Sequence, residues 1–451
     1  MMDAVSYPSE IGGDGSWDRP NIVLIIADDI GWGDLGCYGQ KWIETPHLDQ
    51  MARDGLRCTD CYVGSPVCAP SRSVLMTGRH AGHTRVRDNT ATVGGTRVID
   101  NGPVQHRVPL APGDTTLASV LSAAGYATGG FGKWGLGEPA TCGHPLRHGF
   151  DEWVGFLNQR RAHTYYPASI WDGTERMRLP GNQGEGRETH VQSVIMNRAL
   201  DFIHDHQSAP FFCYIPTTLP HAPFEAPDEE SLEPYIEEDW SETEHAYAAM
   251  VTRLDRDVGR LLTHLDELGI ADETLVLFGS DHGPHETVRD HFNSNGPFRG
   301  GKRQVTEGGL RTPMVIRWPG RIEADRQCEA PWFYADLLPT LAEAAGIWPN
   351  PGHDAVAHAD GISVLPTWLG TDQRLAERML YWEFPRGPYQ QAVRVGRWKT
   401  MRAGPDEPIE CYDLDDDPGE TMDVAEAQPA VVDRCARYME QAHTPSKHWP
   451  R

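Results

Sequence analysis

Lysine is scarce in this 451-residue chain: Lys41, Lys133, Lys302, Lys399 and Lys447 are all there are, and arginine supplies most of the positive charge. Acidic residues number 65 against 40 basic ones, a formal net charge of −25. A field of that sign repels polyanions, which argues against a nucleic-acid partner. Any anionic substrate must therefore be held by a local cluster of cations. No apolar run reaches the roughly 20 residues of a transmembrane helix, so no membrane span is expected. Residues Met1 to Arg19 are polar and lack the basic start and apolar centre of a secretion signal. Cytoplasmic residence is the default expectation, and periplasmic or secreted residence follows if a signal was removed. A dense disulfide framework is also missing. The nine cysteines are scattered at Cys37, Cys58, Cys61, Cys68, Cys142, Cys213, Cys328, Cys411 and Cys435. Cys58 and Cys61 have the spacing of a zinc half-site, but no second Cys-x-x-Cys completes it.

The chain is 39% hydrophobic, ample for a large core. Asn21 to Ala27 is a continuous β-branched apolar run, as in strands buried on both faces. Similar runs lie at Ala127 to Phe131, Phe211 to Pro216, Leu275 to Gly279 and Met314 to Trp318. Helical patterns fall between them, at Thr115 to Ala124, Glu188 to His206, Glu242 to Leu268 and Tyr334 to Ala345. Strands alternating with helices predict an α/β fold with a large doubly wound, mixed or parallel sheet. Beyond Asp360 the pattern changes to short strands with turns, an antiparallel meander, and a closing helix at Val424 to Glu440. The expected division is a catalytic unit over residues 20–360 and a smaller C-terminal unit over 361–451.

Several motifs sit where strands end. Asp28 and Asp29 directly follow the first strand, and ligands in open α/β sheets bind outside the carboxyl ends of strands. Adjacent carboxylates repel unless a cation neutralises them, although an Asp-rich turn or helix cap reads equally well in isolation. Gly279-Ser280-Asp281-His282-Gly283 repeats the arrangement after another strand. Three carboxylates at neighbouring strand ends make a hard oxygen site for Ca²⁺ or Mg²⁺. Cys68-Ala69-Pro70-Ser71-Arg72 is followed by Thr77-Gly78-Arg79. If a helix begins near Pro70, Arg72 shares a face with Cys68, and the helix N-terminus helps to hold an anion.

The Cys68 to Arg72 core with its Thr-Gly-Arg element resembles the signature of the sulfatase family, within the alkaline phosphatase superfamily. The segment Asn293 to Arg299 is similar to arylsulfatase A-like and N-acetylgalactosamine-sulfatase-like members. The resemblance implies an alkaline phosphatase-like sheet with a smaller C-terminal antiparallel domain. It implies that Cys68 is oxidised to formylglycine by a formylglycine-generating enzyme, and that the hydrated aldehyde is the nucleophile. It assigns Asp28, Asp29, Asp281 and His282 as ligands of Ca²⁺, with the modified Cys68 also touching the metal; His282 departs from the more common Asn. Arg72 then orients the aldehyde hydrate. Gly132-Lys133-Trp134-Gly135-Leu136-Gly137 resembles the family's Gly-Lys-Trp-His-Leu-Gly, so Lys133 binds sulfate. Gly135 stands where the family has a histidine, and His83 and His144 are the nearby candidates to replace it. His221, in Leu219-Pro220-His221-Ala222-Pro223-Phe224, matches a sulfate ligand and general acid. Lys302, in Gly301-Lys302 through Glu307-Gly308-Gly309, matches a contact to sulfate and the leaving oxygen.

Further substrate contacts are expected from the donor-rich loop Asn158 to Pro167, including Arg160 and His163, and from Asn89 and Gln391. A packed aromatic loop is the competing reading of that segment. The function implied is hydrolysis of a sulfate monoester, on a small molecule or saccharide. A phosphonate monoester or phosphodiester hydrolase with the same nucleophile is one alternative. A sulfated-glycan binding protein without catalysis is the other.

Overall fold

All five apolar runs become strands of one ten-stranded sheet. The computed structural model describes residues 19–98, 104–348, 356–371, 373, 375 and 377–451. The polar segment read as lacking a signal lies outside the described residues except for Arg19. In chain order the strands are β1 (Asn21–Ala27), β2 (Leu56–Cys58), β3 (Ala127–Lys133), β4 (Glu152–Phe156), β5 (Ser169–Asp172), β6 (Glu175–Arg178), β7 (Phe211–Pro216), β8 (Thr274–Ser280), β9 (Met314–Arg317) and β10 (Arg326–Cys328). Their spatial order is β10-β2-β9-β8-β1-β7-β3-β4-β5-β6. The central strands β8, β1, β7, β3 and β4 run parallel, with Ile22 beside both Phe212 and Leu275. β9 joins β8 antiparallel, and β5 and β6 extend the other side antiparallel, so the sheet is mixed.

Side chains alternate across a strand, and β1 divides its residues accordingly. Ile22, Leu24 and Ile26 face one core, shared with Val74, Leu75 and Met76 and with Leu337 and Leu341. Val23, Ile25 and Ala27 face the other, shared with Ile195, Met250, Leu254 and Val258. The helices packed against the sheet include α1 (Pro46–Arg53), α2 (Cys68–Thr77), α3 (Leu117–Ala123), α4 (Val191–His206), α5 (Glu242–Glu267) and α6 (Leu337–Ala344), of which α2, α4, α5 and α6 supply these residues. Truncating a side chain as buried as Leu24 costs about 2–5 kcal/mol. The helix expected from Glu188 starts at Val191, where the His190 ring accepts the Gln192 N–H.

The meander forms a separate four-stranded antiparallel sheet: β11 (Met379–Phe384), β12 (Gln390–Val395), β13 (Trp398–Ala403) and β14 (Glu410–Asp413). One face packs on α7 (Pro429–Ala442) through Tyr381, Val393, Cys435 and Met439. The other face, with Leu380, Trp382 and Phe384, joins the main core. Trp382 donates to the Val63 carbonyl at 2.7 Å, fixing the second sheet beside the strand ends. Among the described residues no helix is long and apolar enough to cross a membrane.

Candidate active site

Parallel packing of β8, β1, β7 and β3 brings four carboxyl ends together. Asp28 and Asp29 follow β1, Asp281 and His282 follow β8, Lys133 ends β3, and His221 lies just past β7. Backbone bonds stitch these ends: Asp28 N–H to Leu219 O at 2.9 Å and Asp281 N–H to Ala27 O at 3.0 Å. Asp29 takes a left-handed φ of 77°, where a non-glycine residue pays about 1–2 kcal/mol. Its carboxylate accepts two bonds from Lys302 Nζ, at 2.7 and 2.8 Å.

Cys68 is the first residue of α2, at the positive end of the helix dipole. The chain turns helical at Cys68 itself, two residues before Pro70. The helix supplies no side-chain cap of its own; Asn89 Oδ1 accepts the Ala69 N–H at 2.9 Å. The Cys68 thiol lies 3.2 Å from His282 Nε2 and 3.7 Å from Asp28 Oδ1. One turn on, Arg72 donates twice to Asp281 Oδ2, at 2.9 and 3.1 Å, and once to the Lys133 carbonyl at 2.9 Å. Lys133 Nζ donates to Asp28 Oδ2 at 2.5 Å and to His163 Nε2 at 3.2 Å. Lys302 Nζ reaches His221 Nε2 at 3.1 Å. His221 Nδ1 donates to the Ala222 carbonyl at 2.5 Å, which leaves Nε2 as the acceptor.

The field at residue 68 favours an anion. Burial opposes ionisation of the Cys68 thiol, but Lys133 and Lys302 outweigh it and hold the thiol well below its ordinary range. Burial likewise works against Asp28 and Asp29, yet both are lowered, Asp28 chiefly by Lys133 and Asp29 chiefly by Lys302. Asp281 moves the other way, to about 6, through burial and the charge of Asp28. Burial and the charge of Lys133 keep His163 neutral.

The ligand atoms of Asp28, Asp29, Cys68 and His282 all lie within 4.8 Å of one another. His282 Nδ1 donates to Gly283 O at 2.9 Å, so its Nε2 lone pair aims at the Asp29 and Asp281 oxygens, 3.2 and 3.4 Å away. A lone pair and several carboxylates converging on one point repel unless a cation sits between them. Burial disfavours an imidazolium here, yet Asp281, Cys68 and Asp29 raise His282 to about 9, which expresses the same demand for positive charge. The group can thus hold a divalent metal ion. Asp281 stands at its margin, with one oxygen already taken by Arg72.

One expected contact, Gln391, is corrected by the structure. Gln391 is fully buried in the C-terminal unit. Its amide donates to Tyr381 OH at 2.6 Å and its oxygen accepts Arg402, so nothing is left for a substrate. Asn89 spends its side-chain oxygen on the helix bearing Cys68, a supporting position. Arg160 precedes the short turn Arg161–His163, and its backbone N–H is tied to Asn158 Oδ1 at 2.8 Å. Of that loop, His163 is the residue that reaches the lysines. His83 pairs with Asp360 at 2.8 Å, beyond the far end of α2 from Cys68. His144 caps the turn Pro145–Arg147. Neither histidine replaces the one absent at Gly135.

The structure instead fills that space with Gln159, which sequence reasoning passed over. A Cβ at Gly135 would lie 2.6 Å from the Gln159 amide carbon. Gln159 is 2% exposed, and both its amide atoms lack a partner among the described residues. Gly135 adopts φ 78°, open to glycine and strained for other residues. The glycine in an otherwise matching motif was the available signal: a missing side chain in a core calls for a neighbour to fill it.

Known proteins resemble this chain over most of its length. Residues 20–347 match the family model described as Sulfatase, and residues 298–443 match that of the N-sulphoglucosamine sulphohydrolase C-terminal region. The chain is 35% identical over 406 residues to N-acetylgalactosamine-6-sulfatase of Canis lupus familiaris, covering 86% of this chain and 73% of that protein. It is 33% identical over 460 residues to arylsulfatase A of Homo sapiens, covering 92% and 85% respectively. The solved structure of Ps i-CgsB in complex with k-i-k-neocarrahexaose superposes with a TM-score of 0.81 at 27% identity, covering 94% of this chain and 92% of that one. The chain belongs to the sulfatase family. It is a sulfuric ester hydrolase.

Proposed function

We propose that this chain hydrolyses a sulfate monoester on a saccharide. Cys68 is matured to formylglycine by a formylglycine-generating enzyme, and the hydrated aldehyde supplies the nucleophile. Asp28, Asp29, His282 and the modified residue 68, with Asp281 at the margin, hold a divalent ion, Ca²⁺ by family habit, which supplies charge stabilisation at the sulfuryl oxygens. The observation that supports this most is the ring of buried cations around residue 68. Arg72, Lys133 and Lys302 converge there, in a chain whose net charge is −25.

Each side chain then has a distinct task. Lys133 and Lys302 bind the sulfuryl oxygens where charge develops. Lys302 holds a proton against His221 Nε2, and the pair delivers it to the leaving oxygen. Arg72 fixes Asp281 and the end of β3, setting the position of residue 68 from one turn away. The saccharide substrate is supported by relatives named for a sugar sulfate and by the structural neighbour bound to neocarrahexaose. We take residues 20–360 as the catalytic unit and 361–451 as the C-terminal unit, a division supported by the separate second sheet.

The test pairs turnover of a panel of sulfated mono- and oligosaccharides with peptide mass spectrometry at residue 68. Sulfate release by protein that has lost the Cys68 sulfur is expected. Full activity with a wholly intact thiol overturns the nucleophile. Turnover of phosphate diesters with none of any sulfate ester overturns the substrate class.

A further inference from the structure

Lys302 lines more than the sulfate pocket. A cleft of about 520 Å³ also borders Lys302, between the segment 286–304, which opens with the short helix Glu286–Phe292, and the β11–β12 hairpin of the C-terminal unit. Arg289, Arg303 and Arg386 line it, with Glu286 as its carboxylate. Three arginines in one cleft stand out in so acidic a chain.

The backbone at Arg303 explains how the two sites adjoin. Arg303 takes φ 71°, a left-handed conformation that a non-glycine residue holds only where its surroundings impose it. Those surroundings are visible. Arg303 N–H donates to Pro66 O at 2.8 Å, and its carbonyl accepts the Gln390 side chain at 3.0 Å. Lys302, next in the chain, is inserted towards Asp29 and His221 with 7% of its side chain exposed. Arg303 is exposed and has no carboxylate in ion-pair range among the described residues. Arg386 donates to Asp88 at 2.8 Å and to Thr90, yet remains 44% exposed to the cleft.

We propose that this cleft is a subsite for a second anionic group of the substrate, a sulfate ester or a uronic carboxylate, on the sugar unit beside the one bearing the scissile sulfate. The proposal rests on the sulfatase reading and narrows it: the preferred substrate is a saccharide with at least two anionic groups. A guanidinium suits either oxyanion: Arg303 offers a whole fork, and Arg386, whose Nε and Nη2 are held by Asp88 and Thr90, offers its Nη1. The cleft volume is in the range that holds a compact ligand such as a saccharide unit. An isolated monosulfated sugar would leave it unfilled.

The test compares a monosulfated disaccharide, the same disaccharide with a second sulfate, and one with a uronic acid in place of that sulfate. The variants are Arg303→Gln and Arg386→Gln, each checked by thermal unfolding. In the natural chain kcat/KM is expected to favour the doubly charged substrates, mainly through KM. Each variant should lower that preference by roughly 10- to 100-fold, as loss of a charge-assisted hydrogen bond does. The two charged arms distinguish sulfate from carboxylate. A preference unchanged within about twofold in both variants overturns the proposal, because screened rim charges contribute little. Equilibrium binding of the three disaccharides to protein with the intact Cys68 thiol separates this from the parent reading. A preference for the second charge in binding, without sulfate release by matured enzyme, keeps the cleft and removes the sulfatase reading. Sulfate release with no preference in either assay does the reverse.

Discussion

His163 and His221 stack face to face, ring centroids 3.6 Å apart and planes within 15°. Each presents its Nε2 to a different lysine, His163 to Lys133 and His221 to Lys302. The stack joins the loop after β4 to the loop after β7 and holds both ammonium groups in place. Two imidazolium rings so close would repel, and burial with the charge of Lys133 keeps His163 neutral. His163 is therefore a wall that orients His221.

Replacing His221 by alanine tests proton delivery. Loss of a general acid matters most when the leaving oxygen is basic, by about 10²- to 10⁴-fold, and least when it departs as a stable phenolate. His221→Ala should therefore depress turnover of sugar sulfates far more than of activated aryl sulfates. Equal losses on both, measured as kcat/KM, would leave His221 as a sulfate ligand alone.

Lys133→Ala and Lys302→Ala should each lower sulfate-ester turnover by on the order of 10²-fold or more, as loss of an electrostatic stabiliser does. Each also strips a partner from a fully buried aspartate, Asp28 or Asp29, which costs about 3–5 kcal/mol when the charge is left alone. Steady-state kinetics on protein shown to be folded by circular dichroism separates the two effects. A folded variant with near-normal kcat/KM excludes that lysine from the reaction.

Metal removal is the third prediction. Exhaustive chelation should abolish turnover, and Ca²⁺ should restore it. Asp28→Asn and Asp29→Asn should weaken metal retention more than Asp281→Asn, because Asp281 lies at the margin and is bound by Arg72. Elemental analysis of each variant gives the ranking, and undiminished turnover in metal-free protein would falsify the site.

Much of this arrangement was legible in the chain. β1 announced itself because a strand covered on both faces needs an unbroken apolar run, and Asp28 and Asp29 stand out as the polar break at its end. The motif residues Cys68, Lys133, His221 and Lys302 sit together as resemblance implied, since strand order brings their ends side by side. Partners set by tertiary packing were not legible. Nothing local in Asn89 or Gln391 tells that one serves a helix N-terminus and the other a buried tyrosine. His83 and His144 were near in sequence, but a buried helix and a capped turn direct them elsewhere. Gln159 became meaningful only when the space beside Gly135 could be seen from both sides.

That filled space gives a fourth prediction. Gly135→His must take φ 78° at a cost of about 1–2 kcal/mol and also displace Gln159, an overpacking cost of about 1–3 kcal/mol. Adding Gln159→Ala should recover the packing part and leave the backbone part. Denaturant unfolding of both single variants and the double variant measures the coupling, and strict additivity would show that the two residues do not share the space.

The last prediction concerns pH and stability at a distance from the reaction. Asp255, on α5, accepts the Leu48 N–H at 2.7 Å and the His47 N–H at 3.2 Å. It thereby caps α1, whose own Thr45 makes no side-chain cap. Burial raises Asp255 from 3.8 to about 7, against the opposing effect of these two backbone bonds. The folded chain therefore binds more protons than the unfolded chain between those values. Stability from this group is complete below the unfolded value and falls as pH rises towards 7. Asp255→Asn cannot ionise and keeps an oxygen for one of the two N–H groups. Relative to the natural chain, the variant should gain stability between pH 4 and pH 8, by up to about 4 kcal/mol if the whole shift is expressed. Urea unfolding of both proteins at pH 5 and pH 8 measures the change in their difference. Parallel stability profiles would mean that Asp255 is already ionised in the folded chain and that the cap accommodates its charge.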